Sequence, residues 1–346
     1  MVGAGINGVK RWAALGVVLA LGATLWFVRA EVLRVVPTPL LPMPAHEQYA
    51  IALVVAGLAE SEAGRAWRAA ADDVLDMPAE VTPQYENAAV LDGARPATAW
   101  RFAARRGQRV IVEARDAASA VFLDLFDAES RRRVASAPAR SLRLEHVVGR
   151  DGPLVVRVQV PLPLERARQS GAAATAGATA ISPAIQLAQR VEPSLGFPVQ
   201  GVTARAVQSG FGVGRDSGQR RHEGIDIFAP RGTPVLAAAG GLVTQQTSNR
   251  LGGKVVWVWS PEYGVSLYYA HLDQQAVTPG ARVDAGTILG YVGNTGNARS
   301  TAPHLHFGIY ARPEGAVDPL PYVAAPAPPR KPVTRRRRVS DEGDKN

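Results

Sequence analysis

Residues 300–310 read STAPHLHFGIY and hold two of the chain's six histidines, His304 and His306, with only Leu305 between them. In an extended strand successive side chains point to opposite faces, so positions i and i+2 share one. His304 and His306 then stand on one face, roughly 7 Å apart along the strand. Leu305, Phe307 and Ile309 stand on the other. The alternation predicts a half-buried strand with an apolar back and a chemically active front. Imidazoles at that separation cannot share a hydrogen bond, but one can hold a metal while the other reaches a group bound to it. An isolated HxH is more often a pair of surface histidines, so a metal site requires further ligands elsewhere.

Two other stretches supply them. HEGIDIFAP contributes His222 and Asp226, and YYAHL contributes His271. A helix would place His222 and Asp226 on one face, but Gly224 and the segment after it disfavour a helix. The sequence therefore predicts His222 on a loop and Asp226 at the start of a strand, with Gly224 allowing the bend between them. A His, Asp, His set suits a catalytic zinc ion, which takes three protein ligands and keeps a fourth position open. Amide hydrolysis at such a site needs helpers, because a neutral imidazole can accept a proton and a protonated one can steady an oxyanion. Spacing alone leaves open which three of the five residues bind metal.

Composition narrows the choice of chemistry. The 346-residue chain contains no cysteine, which excludes disulfides, thiolate zinc sites and cysteine nucleophiles. Any metal must be held by His, Asp or Glu. With 47% hydrophobic and 20% charged residues, the chain can bury sizeable cores, and its length predicts two or three domains. The net charge is +9, but residues 324–346 alone contribute +4 of it. Between residues 83 and 312 no basic stripe alternates with aromatics, so a nucleic-acid partner is not expected.

Along the chain the predicted class is mainly β. Residues 1–30 contain Lys10 and Arg11 followed by an uncharged apolar run over residues 12–28. This pattern predicts a transmembrane anchor or a signal peptide that sends the rest of the chain across the membrane. Residues 31–80 form a Pro-rich spacer, VVPTPLLPMP, and a short helical region. Residues 81–165 alternate apolar and polar positions in several short runs, which predicts a small β-sandwich-like accessory domain. His146 lies there alone in an apolar strand and is read as packed. Residues 166–192 are a low-complexity linker, residues 193–323 a second domain rich in Gly and β-branched residues, and residues 324–346 a disordered basic tail.

The stretches FGVGRDSGQRRHEGIDIFAPRGTPVLAAAGGLV, YYAHL and VDAGTILGYVGNTGNARSTAPHLHFGI closely resemble the lysostaphin-type (LytM-like) zinc endopeptidases of bacterial cell walls. The resemblance covers roughly residues 196–312, with all motifs in the family's order. It implies an antiparallel β-groove domain in which Zn2+ is bound by His222, Asp226 and His306. It implies that His271 and His304 are the catalytic pair that orients and deprotonates water and stabilises the tetrahedral intermediate. Peptidoglycan peptides are the implied substrate, on the periplasmic side of an inner membrane that the N-terminal segment would anchor. Ala302 stands where the family often has Gly, and Gly308 where an acidic residue is common.

Two rival readings differ in class. Members of the family that activate other hydrolases without catalysis lack some of the five residues, and this chain keeps all five. The glycine cadence of residues 280–296 also matches lipoyl and biotin carriers, but Lys254 in GGKVVWVW has no methionine beside it. A regulatory expectation follows from the linker: the upstream helical region and sandwich would fold back over an open groove and block it.

Overall fold

A computed structural model describes residues 43–117, 120–162 and 184–326. The anchor or signal segment at residues 1–30 and the arginine run at residues 335–338 lie outside the described residues. Among those described, no helix is long and apolar enough to cross a membrane.

Among the described residues, the N-terminal half contains two helices, α1 (Ala45–Val55) and α2 (Glu62–Asp76), and nine strands. These strands are β1 (Ala79–Glu80), β2 (Tyr85–Ala89), β3 (Ala97–Ala104), β4 (Gln108–Arg115), β5 (Phe122–Asp127), β6 (Arg133–Ser136), β7 (Arg143–Val147), β8 (Gly152–Gln159) and β9 (Ile185–Pro193). They form a five-stranded sheet, ordered β1-β3-β8-β5-β6, and a four-stranded sheet, ordered β2-β9-β4-β7. One core lies between the sheets. Val110, Val112 and Ala114 of β4 meet Leu123 and Leu125 of β5 and Val156 and Val158 of β8 there, as the period-two patterning of each strand requires.

Strand β5 is buried at all six positions because its second face is covered as well. The predicted helical region packs there, whereas residues 35–42 of the spacer lie outside the described residues. Trp67 and Leu53 cluster on Phe122, and Val74 and Leu75 pack on Phe126. The start of α2 is fixed by Ser61, whose Oγ accepts from the Gly64 amide at 3.0 Å, satisfying one of the free donors of the first turn. The Trp67 indole N–H donates to the Val160 carbonyl at 2.8 Å. The helices are thus a third layer on the sandwich.

The linker expectation is corrected in one respect. Residues 185–193 are strand β9, which pairs along β4 from Gln108↔Pro193 to Arg115↔Gln186 and also along β2. The low-complexity residues before it therefore connect β8 to β9 within the sandwich. Composition concealed this, because a run of Ala, Gly and Thr stops only just before the alternation begins at Ile185.

After β9 the chain enters the second half directly. Ser194 Oγ donates to the Gly107 carbonyl at 2.5 Å, and Arg109 and Tyr263 both reach the Ser194 carbonyl. The Leu195 amide donates to the Tyr322 carbonyl at 2.8 Å, and Arg105 pairs with Asp318 at 2.9 Å. Gly107 has φ +84°, and a Cβ there would lie 2.2 Å from the Tyr322 ring. Gly107→Ala combines left-handed strain with a clash against a rigid ring. It is expected to destabilise the chain by about 3 kcal/mol, read as a lower urea midpoint at unchanged slope. An unchanged midpoint would show that this junction yields freely.

The second half contains β10 (Val207–Ser209), a small hairpin of β11 (Gly214–Arg215) and β12 (Arg220–Arg221), β13 (Ile225–Phe228), β14 (Pro234–Leu236), β15 (Gly241–Asn249) and β16 (Gly253–Ser260). There follow β17 (Val265–Leu272), β18 (Gln274–Gln275), β19 (Arg282–Val283), β20 (Ile288–Tyr291), β21 (His304–Ala311), β22 (Gly315–Val317) and a short α3 (Leu320–Val323). The main sheet runs β10-β13-β21-β17-β16-β15-β19, with β22 also on β21, and a three-stranded sheet, β14-β20-β18, lies apart. The back of the main sheet is its core: Leu305, Phe307 and Ile309 are fully buried together with Ile225, Ile227 and Leu267. The alternation expected of residues 304–309 is therefore present, and the histidines stand on the opposite, front face.

Candidate active site

Strand register assembles the site. β13 and β21 are antiparallel neighbours in which Asp226 faces His306 and Phe228 faces His304. His222 lies in the turn before β13, and Asp226 is the second residue of that strand. Gly224 between them is required by proximity more than by bending. A Cβ there would sit 2.4 Å from the Phe307 carbonyl oxygen and 2.8 Å from His306 Nε2. Gly224→Ala is expected to displace the His306 ring and weaken zinc binding at least as much as losing an outer-shell partner, about 10–100-fold. Competition with a chromogenic chelator measures this, and wild-type affinity would refute it.

Three potential ligand atoms converge. His222 Nε2 lies 3.0 Å from Asp226 Oδ1 and 2.9 Å from His306 Nδ1, and His306 Nδ1 lies 3.0 Å from Asp226 Oδ1. His222 Nδ1 is 2.8 Å from the Gly210 carbonyl, so it carries the proton and leaves the lone pair on Nε2. That lone pair faces a carboxylate oxygen, an arrangement that needs a positive charge between the two. A cation among the three atoms meets the need, and the donor set suits one that accepts nitrogen and oxygen ligands in a site closed on three sides. Burial pushes the Asp226 carboxyl upward, but the adjoining His222 and His306 imidazoles outweigh it and hold the group well below the usual carboxylate range. Burial likewise lowers His306, against the opposing pull of Asp226. Both shifts favour deprotonated ligands.

His271 and His304 stand beside this cluster. Their rings meet edge to face at 5.0 Å, and His271 lies 5.9 Å from His306. His271 donates from Nδ1 to the Thr295 carbonyl at 2.9 Å, and His304 from Nδ1 to the Ala302 carbonyl at 2.8 Å. Each bond places the unprotonated lone pair on Nε2. His304 is also stacked on Phe228, with ring centroids 4.9 Å apart. Burial, then the neighbouring His304 and His306, push His271 down to about 4, so it is a free base at neutral pH. By simple alternation after Tyr269, which is buried in the core, His271 would point backward. A register shift between β16 and β17 and a left-handed backbone at His271, φ +63°, turn its side chain into the groove.

All five predicted residues line one groove of about 610 Å³, whose lining residues run from Gln208 to Tyr310. Among the described residues, none of the sandwich lines it. The junction at Gly107, Ser194 and Tyr322 seats the sandwich elsewhere. Sequence reasoning missed a supporting pair. The Arg215 guanidinium donates to Asp226 Oδ2 and, at 2.8 Å, to Ser209 Oγ, and Ser209 Oγ is 3.5 Å from His222 Nδ1. Arg215 thereby occupies the Asp226 oxygen that faces away from the cluster. A lone arginine in a Gly-rich loop carries no spacing signal that would have revealed this.

Comparison with known proteins agrees with the geometry. Residues 220–319 match the model of Peptidase family M23. The chain is 35% identical over 140 residues to the L-Ala--D-Glu endopeptidase of Bacillus subtilis, covering 37% of this chain and 43% of that protein. It is 43% identical over 110 residues to the DD-carboxypeptidase/endopeptidase Mpg of Neisseria meningitidis, covering 32% and 24%. It is 37% identical over 106 residues to lysostaphin of Staphylococcus simulans, covering 30% and 21%. The chain thus spans less than half the length of each of these relatives. The match to Peptidase family M23 over residues 220–319 takes in all five of the residues gathered in the groove.

Proposed function

We propose that the chain is a zinc-dependent endopeptidase that hydrolyses peptide bonds in peptidoglycan stems or cross-links during cell-wall remodelling. The observation that carries this reading is the convergence of three ligand atoms within 3.0 Å of one another beside two imidazoles of fixed tautomer. His222, Asp226 and His306 are the proposed zinc ligands, and His271 and His304 the catalytic pair. Zinc, when bound, supplies a Lewis acid that polarises the scissile carbonyl and acidifies water. His271, with Nδ1–H tied to Thr295, accepts the water proton at Nε2 and returns it to the leaving amine. His304, held by Ala302 and Phe228, presents Nε2 to the same space and, when protonated, donates to the developing oxyanion. The rigid carbonyl anchors keep both rings oriented before substrate arrives.

The remaining organisation follows the same reading. The peptidase unit is the groove-bearing half, with the helix-covered sandwich as its accessory module. A similar protein of Vibrio cholerae is named Peptidoglycan DD-endopeptidase ShyC, and on that likeness the catalytic half is assigned to the extracytoplasmic side. Residues 1–30, as anchor or signal, would take it there. The test is a digest of purified peptidoglycan with and without chelator, analysed by mass. Chelator-sensitive release of peptide-cleaved muropeptides is expected. A folded, zinc-loaded protein that releases none would instead be a non-catalytic envelope module.

A further inference from the structure

Beyond the five residues, the front of the main sheet carries an aromatic wall that the reaction itself leaves unused. The Tyr268 ring lies 5.8 Å from His306, Trp257 lies 4.5 Å from Tyr268, and Tyr310 lies 5.1 Å from Trp257. Register creates this wall. Trp257 faces Tyr268 across β16 and β17, and Tyr268 faces Gly308 across β17 and β21. His306, Gly308 and Tyr310 share the front face of β21. Because Gly308 has no side chain, the Tyr310 ring leans over it: a Cβ at residue 308 would be 3.1 Å from Tyr310 Cε2. The Tyr310 hydroxyl then donates to Glu223 Oε2 at 3.2 Å. Glu223 is exposed, follows His222 in the chain, and closes the outer end of the wall.

Aromatic faces are electron-rich, and a carboxylate at their margin adds a full negative charge. An anionic side chain would be repelled there and an uncharged one would gain only ring contact, whereas an alkylammonium can lay its methylenes on the rings and its charge at Glu223. Of the guanidiniums lining the groove, Arg215 is directed to Asp226 and Arg221 to the Gly212 carbonyl. The wall starts beside a proposed zinc ligand, so at ~3.3 Å per extended residue it would meet a side chain one to three residues from the reacting carbonyl. We infer that Trp257, Tyr268, Tyr310 and Glu223 form a subsite for a primary ammonium on the substrate peptide, such as the side-chain amine of a stem's diamino acid. The inference rests on the endopeptidase reading and specifies which substrates that site prefers.

The test is calorimetric binding of two peptides to the zinc-loaded full chain: L-Ala-D-Glu-L-Lys-D-Ala and the same peptide acetylated on the lysine amine. Acetylation should weaken binding about tenfold in the wild type. The preference should shrink to about twofold or less in Glu223→Gln, which keeps the shape and removes the charge. Trp257→Leu should reduce it through the loss of a ring, giving a second reading if one variant folds poorly. Equal binding of both peptides by a wild type that cleaves peptidoglycan would overturn the subsite alone. So would an undiminished preference in Glu223→Gln, or competition for the wall by an N-acetylglucosamine oligomer with no effect of the amine. A wild type that binds neither peptide and cleaves nothing would overturn both the subsite and the endopeptidase reading.

Discussion

The Asp226→Ala protein is expected to fold, to emerge from purification without stoichiometric zinc, and to release no muropeptides above background. Three physical effects act together. The substitution removes the one anionic member of the proposed ligand set, whose Oδ1 lies 3.0 Å from both imidazole partners. It deletes the carboxylate that the Arg215 guanidinium contacts, leaving an unpaired positive charge beside a cation site. It also frees the ring of His306, which faces Asp226 directly across the strand pair. Loss of an outer-shell partner alone costs roughly 10–100-fold in metal affinity, so loss of a ligand together with the liberated arginine should exceed that range. Metal analysis after dialysis and a chelator-competition titration measure it. Thermal unfolding of the metal-free proteins serves as the control for folding. Stoichiometric zinc at wild-type affinity would exclude Asp226 from the ligand set.

What could be read from the chain divides along a physical line. Features encoded by local periodicity were legible. The alternation in residues 304–309 predicted a strand with Leu305, Phe307 and Ile309 behind the histidines, and those three are fully buried. Glycine between His222 and Asp226 signalled a turn into a strand, which is where β13 begins. Features that depend on pairing between distant segments were not legible. The burial of both faces of β5 depends on α1 and α2 packing across it, and a helical stretch of 46–75 carries no sign of its partner. β9 pairs with β4 across more than seventy residues, which no local pattern reports.

The same division holds within the site. His222, Asp226, His304 and His306 stand on strands or turns whose direction follows from sequence spacing. His271 does not. YYAHL read as a regular strand turns it toward the core, and only the irregular pairing of β16 with β17 turns it outward. Its left-handed backbone is strained for a residue with a Cβ, at a cost of roughly 1–2 kcal/mol. The strain is offset by fixed partners: the His271 amide donates to the Gly252 carbonyl at 2.7 Å and its Nδ1 to that of Thr295. Strain held in place by surrounding hydrogen bonds is a frequent mark of a functional position. Arg215 was invisible for another reason, since its value lies in one contact with a residue eleven positions away in a loop.

The His271→Ala protein separates chemistry from metal binding more sharply than any other variant. His271 meets the proposed ligand set only edge-on, 5.9 Å from His306 between ring centroids, so its removal should leave zinc stoichiometric. Removal of a general base costs typically 10²–10⁴ in rate, and the loss should fall on kcat with substrate affinity largely retained. The alanine keeps the Cβ, the left-handed backbone and the Gly252 hydrogen bond and gives up only the bond from Nδ1 to Thr295, so the fold should persist. Expected together are full metal content, near-wild-type unfolding and a muropeptide release rate lower by about three orders of magnitude. His304→Ala, which removes a donor to the oxyanion, should also keep its metal and lose about 10²–10³ in kcat. If His271→Ala instead lost its zinc, the ligand set would have to include His271. If it kept both zinc and full activity, the proton would have to pass to His304, whose Nε2 is the other unprotonated nitrogen fixed beside the cluster.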